Sequence, residues 1–298
     1  MILNKDLNTT MNSKLMMKEK KEVGGQAVVE GVMFSDKKNI VIAIRNGKKI
    51  KVKREKRKSL ANKYKFLKWP FFRGVLALVE MLVVGIKAIS WSANQSVGEG
   101  DEITKKDLVF VFISAILLSL ALFVALPFFL TKLVSKDTGV VFNLIDGLFR
   151  VLIFILYILV ISFFKDVKVL FQYHGAEHKA INCYEDGKSV NVKNAKHYST
   201  LHPRCGTSFL IIVLIVSIIV FSFIVDSRWY VKLLGRIVLI PVVAGVSYEI
   251  LKLSSRFKNN IFVKILIAPG LLIQKMTTAE PDEKQLEVSV RALEEITR

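Results

Sequence analysis

The chain has 298 residues, 52% of them hydrophobic, with a mean hydropathy of +0.42 and a formal net charge of +19. A soluble domain of this length does not need that apolar content, which comes from runs such as Leu108–Leu130, Val151–Phe164, Ser208–Val225 and Ile237–Ile250, long and nearly uncharged as bilayer-crossing helices are. Two cysteines, Cys183 and Cys205, exclude a disulfide framework, and no arginine-rich or aromatic module points to sequence-specific nucleic-acid binding.

Residues 1–22 are polar and basic with no apolar centre, so they read as a disordered tail and not as a signal peptide. Residues 23–68 read as a small cytosolic β element and a basic linker. Asn39–Arg45 and Lys49–Lys53 alternate in polarity on either side of Asn46-Gly47, a strong hairpin signal. Gly24-Gly25 before Gln26–Val29 suggests a further strand with an unusual backbone at its start. Within residues 69–96, Phe71–Ser92 is long enough to cross a membrane, but Arg73, Glu80 and Lys87 recur every seven residues on one helical face. A charged stripe is costly in lipid, so an interfacial or re-entrant helix is expected.

Residues 97–253 carry four expected spans, at about 108–131, 140–164, 207–225 and 230–253. The loop 165–206 between the second and third contains Lys165, Lys168, Lys179, Lys188, Lys193, Lys196 and Arg204, whereas 132–139 and 226–229 are short and nearly neutral. That asymmetry places the loop and both termini in the cytosol, with the rest of the basic excess set against anionic lipid headgroups. Both cysteines then face a reducing compartment. In residues 254–298, Asn260–Met276 is apolar but interrupted by Pro269-Gly270, and reads as re-entrant or surface-lying. Asp282–Arg298 carries a helical stripe of Leu286, Val290, Leu293 and Ile296. The expected fold is mainly α: a polytopic helical membrane protein with a small amino-terminal β-hairpin element and interfacial or re-entrant helices.

All four histidines, His174, His178, His197 and His202, fall within 29 residues of that one loop, together with Cys183 and Cys205. His174-Gly175-Ala176-Glu177-His178 puts two imidazoles at i and i+4 on one helical face, with Glu177 on the same side. This is the H-x-x-E-H spacing of inverted zinc peptidases, in which the glutamate is the base. A third ligand is required. Glu249, 71 residues after His178 and costly in the apolar stretch Val242–Leu253, is one candidate; Arg236 or a neighbouring span could instead neutralise it. His202 and Cys205, three apart, are the others. Cys183 points about 140° away from His178 on a continuous helix and joins only if the helix ends first. The plain alternative is a set of interfacial histidines with Glu177 paired to Lys179 or Arg204.

The blocks Gly24–Met33, Phe171–Lys179, Leu201–Phe209, Ala268–Gln274 and Thr277–Asp282 resemble the YqhQ-like bacterial membrane family, a domain of unknown function, over the chain from about residue 23 onward. The resemblance implies a metal-dependent enzyme without a known substrate.

The leading expectation is therefore a zinc-dependent hydrolase of the cytoplasmic membrane, with Glu177 as catalytic base. His174 and His178 would hold the metal, and Glu249, His202 or Cys205 would complete the site. A peptide or lipid-linked substrate near the inner leaflet suits that location. The rival is a non-enzymatic scaffold or membrane-protein biogenesis factor, using its basic cytosolic face to dock a protein partner and a metal or polar cluster to fold the loop. A transporter using Arg73, Glu80, Asp146, Arg150, Arg236 and Glu249 is the third.

Overall fold

The computed structural model describes residues 21–62, 64–96, 104–136, 139–224, 228–257 and 260–298. Residues 1–20 of the expected basic tail lie outside the described residues.

The amino-terminal element is a four-stranded antiparallel meander rather than one hairpin: β1 (Gly24–Val28), β2 (Gly31–Ser35), β3 (Asn39–Asn46) and β4 (Lys49–Lys56), in that order. The β3–β4 hairpin forms, but Asn46 pairs with Lys49, so the loop is Gly47-Lys48, one residue later than expected. Gly47 alone in this loop takes a positive φ, 59°, as a type II′ turn with glycine first requires. The β1–β2 hairpin turns through Val29-Glu30, with Glu30 at φ 52°. Asp36 closes the β2–β3 turn by accepting from the amides of Lys38 and Asn39, both at 2.6 Å.

Among the described residues ten α-helices follow: α1 (Phe72–Ser96), α2 (Lys105–Leu120), α3 (Leu126–Val134), α4 (Val140–Ser162), α5 (Lys165–Asp186), α6 (Val192–Ala195), α7 (Gly206–Ser222), α8 (Trp229–Arg256), α9 (Ile261–Thr277) and α10 (Glu283–Thr297). One turn of π-helix, Ala121–Ala125, joins α2 to α3. The sheet is covered on both faces. Val32, Phe34, Val41 and Ala43 pack on Tyr173 and Ile181 of α5 and on Val288, Leu293 and Ile296 of α10. On the other face, Met33, Ile42 and Ile44 pack on Ala88, Met81 and Val84 of α1. That double cover buries every residue of β2. The stripe expected on the last helix lies inward as α10, whose start is fixed by an Asp282/Gln285 capping box.

Among the described residues, three helices are long and apolar enough to cross a membrane, over Lys106–Val134, Val140–Ser162 and Trp229–Ser254. α2 exposes Phe110 and Leu117 at 73% and 61%, a surface suited to lipid. Together these helices point to membrane association. α7 covers the remaining expected span but has 17 residues, about 26 Å at 1.5 Å per residue. Residues 225–227, at the end of that expected span, are outside the described residues.

α1 is not among the three. Its charged stripe is answered largely by protein: Arg73 pairs with Glu249 of α8, and Glu80 accepts from Ser59 Oγ at 2.8 Å and Leu60 N at 2.9 Å. The expected interruption of α9 does not occur, because the helix runs through Pro269. Gly270 instead lets α9 press against α7, where a Cβ would stand 2.7 Å from Ser208 Cα.

Candidate metal centre

α5 is unbroken to Asp186 and ends in an αL cap at Gly187. His174 and His178 therefore sit one above the other, with ring centroids 4.4 Å apart. Cys205 is the N-cap residue of α7. His174 Nε2 and Cys205 Sγ are 3.1 Å apart, and one ligand atom from each of His174, His178 and Cys205 lies within 4.8 Å of the other two. Backbone carbonyls fix both imidazoles: His174 Nδ1 donates to Thr277 O at 2.8 Å and His178 Nδ1 to Thr200 O at 2.5 Å. A ring that donates through Nδ1 presents a lone pair at Nε2. His178 Nε2 is buried, and the Cys205 thiol is the side chain that interacts with the His178 ring.

Close backbone packing brings those carbonyls to the rings. The segment after α9 crosses α5 at Gly175, where a Cβ would lie 2.1 Å from Ala279 O, and Ala279 N donates to Phe171 O at 2.9 Å. Gly175 thus opens the space that lets Thr277 reach His174. On the other side, Gln274 of α9 clamps the backbone of His202, accepting from its amide at 2.9 Å and donating to its carbonyl at 3.0 Å. Asn182 of α5 donates to Ser199 O and Leu201 O. These bonds hold the 199–205 loop over α5. Gly175→Ala should destabilise the protein by about 1–3 kcal/mol, as overpacking against backbone does, and loosen the metal site in step. Thermal unfolding beside metal content checks this, and an unchanged midpoint would contradict it.

Glu177 is buried at 6% exposure beneath β1. A Cβ on Gly25 would stand 2.5 Å from Glu177 Oε1, so the glycine makes room for the carboxyl. Neither Gly24 nor Gly25 takes a positive φ, so the unusual backbone expected there does not occur; Gly25 serves close approach, while a Cβ on Gly24 would meet nothing within 4 Å. Burial pushes the Glu177 carboxyl above its ordinary pKa, opposed by the charges of His174 and His202. Burial pushes the His178 imidazole down, which keeps it neutral and able to ligate.

The other sequence candidates are placed as follows. His202 lies beside the site, its ring 5.7 Å from that of His178, and its Nε2 is 3.3 Å from Glu185 Oε1, which Arg204 also holds. Glu249 is not brought to the histidines: its carboxylate takes Arg73 in a two-pronged ion pair and Phe71 N at 3.3 Å. Cys183 faces away into an apolar cluster with Ala176, Ala195 and Leu286, and His197 is exposed. Sequence reasoning missed the carbonyls of Thr200 and Thr277, which carry no side-chain signal. It also missed Gln274, whose amide in an otherwise apolar stretch could have revealed it.

Two imidazoles and a thiol form a borderline-soft donor set that suits zinc. Tetrahedral zinc separates its ligand atoms by about 3.3–3.7 Å, given bonds of ~2.0–2.3 Å, so side-chain shifts of about 1 Å would be needed to hold such an ion here. Three such residues would leave a fourth position of a tetrahedral ion unfilled by protein, as in catalytic zinc sites.

Residues 69–298 match the family described as Protein of unknown function (DUF1385). The chain is also 34% identical to the uncharacterized protein YqhQ of Bacillus subtilis (strain 168), over 92% of each chain. No solved structure matches. The chain therefore belongs to the DUF1385 family of proteins of unknown function.

Proposed function

We propose that this protein is a zinc-dependent hydrolase of the cytoplasmic membrane, with four spans, α7 included, and with the metal centre and both termini on the cytosolic side. The observation that carries this reading is the convergence of one ligand atom each from His174, His178 and Cys205, all within 4.8 Å of one another. His174, His178 and Cys205 would hold the ion, and Thr277 O and Thr200 O would keep the rings aimed at it. When bound, the ion supplies Lewis acidity for hydrolysis at neutral pH. Glu177, whose burial favours its neutral form, would take and return the proton. A peptide or lipid-linked substrate at the inner leaflet fits the place of the site in the chain.

The rival scaffold reading has its own support, since one ion would tie α5 to the start of α7. Glu177→Gln separates the two. Hydrolysis predicts a folded variant with wild-type zinc and turnover lowered by about 10²–10⁴, read on lipid-linked and peptide substrates supplied in membranes. A scaffold predicts that the variant complements a deletion strain fully.

A further inference from the structure

A second site, away from the histidines, lies where the basic linker meets the end of α8. Arg57, Lys68, Arg73 and Lys252 line a cavity of about 300 Å³ together with Ser59 and a single carboxylate, Glu80. Arg57 pairs with Glu80 at 3.6 Å and Arg73 with Glu249 from behind, so four cations face two carboxylates and the cavity keeps a positive balance. Next to Arg73, α1 and the residue before it pack closely on α8. Phe71, a bulky residue held at φ 71°, seats its ring where a Cβ on Gly245 would lie 2.6 Å away, and a Cβ on Gly74 would lie 2.9 Å from Tyr248. Such a backbone angle costs about 1–3 kcal/mol and persists only where the surroundings enforce it.

Beside the cavity, the linker presents an exposed apolar edge. Trp69 is 63% exposed, and Tyr64, Phe66 and Phe72 are each nearly half exposed. Their rings follow one another at 6.3 Å and 6.1 Å. Lys252 stands within the last turns of the apolar segment Trp229–Ser254, at the level where a span leaves the hydrocarbon. Exposed aromatics beside lysines at such a level are the composition of a membrane-interface anchor.

We infer that this cavity takes the phosphate headgroup of an anionic phospholipid, with Lys68 and Lys252 as its cationic contacts and Phe66, Trp69 and Phe72 against the acyl boundary. The aromatic edge favours a lipid over a free phosphate, which has no use for it. Bound there, the lipid would fix α1, and through it the sheet over Glu177, relative to the bilayer. The site rests on reading α8 as a span, which is tested separately by whether the protein leaves membranes only with detergent.

The test is native mass spectrometry of the full-length protein in detergent, titrated with phosphatidylglycerol, with phosphatidylcholine of the same chains, or with inorganic phosphate. Phosphatidylglycerol should be retained at least tenfold better than phosphatidylcholine. Lys68→Gln/Lys252→Gln should lose that preference by roughly ten- to thirtyfold, two lysines' worth of headgroup attraction, and Lys68→Arg/Lys252→Arg should keep it. Equal retention of the two lipids, an unaffected glutamine variant, or displacement of the lipid by equimolar phosphate would overturn the proposal.

Discussion

Cys205→Ser and His178→Ala should each weaken zinc binding by well over a hundredfold in chelator competition, whereas Glu249→Gln should leave it unchanged. The asymmetry comes from geometry. Cys205 Sγ and the two imidazoles share one space, while Glu249 is spent on Arg73 and the Phe71 amide. Outer residues that merely aim a ligand cost roughly 10–100-fold when changed, so loss of a ligand has to exceed that range. His202→Ala is the informative intermediate. Its ring neighbours His178 but is held towards Glu185, which predicts an effect within the outer-residue range. If His202→Ala abolished binding while Cys205→Ser did not, the third ligand would be reassigned from Cys205 to His202.

What the sequence made legible follows from the range of the physics involved. The i, i+4 relation of His174 and His178 is local, and α5 realises it. The stripe on α10 is local too, and its four apolar residues are buried. The β3–β4 hairpin was visible from alternation and its glycine, yet its loop falls one residue later because the register of the whole strand pair decides which residues turn. β2 was not separable in advance: it is buried on both faces, so it lacks alternation, and its turn at Val29-Glu30 has no glycine or asparagine to announce it. The choice among Glu249, His202 and Cys205 was beyond sequence because it depends on how α7, α8 and α9 pack. Spacing alone made Glu249 as plausible as Cys205; the Arg73 partner that removes it is 176 residues away.

Asp146→Ala should be among the most damaging substitutions outside the metal centre, at about 3–5 kcal/mol. Asp146 of α4 is 1% exposed and divides its carboxylate between Arg150 and Arg236 of α8, each at 2.6 Å. Arg150 also donates to Ser217 of α7 at 2.8 Å, and Arg236 to Asn143 at 3.2 Å. One carboxylate thus serves two guanidiniums that cannot discharge, and the rings of Phe128 and Phe221 stand 5.1 Å and 5.0 Å from Arg236 and Arg150 to take part of the excess charge. Removing the carboxylate leaves both cations buried and uncompensated, which is the expensive case. Replacing the whole set, as Asp146→Leu/Arg150→Met/Arg236→Met, removes the charges together with their desolvation cost and should stay within about 1–2 kcal/mol of wild type. Unfolding of the detergent-solubilised protein measures both. A harmless Asp146→Ala would show that water reaches the arginines and that these residues line an aqueous path, which is the arrangement a transporter would need.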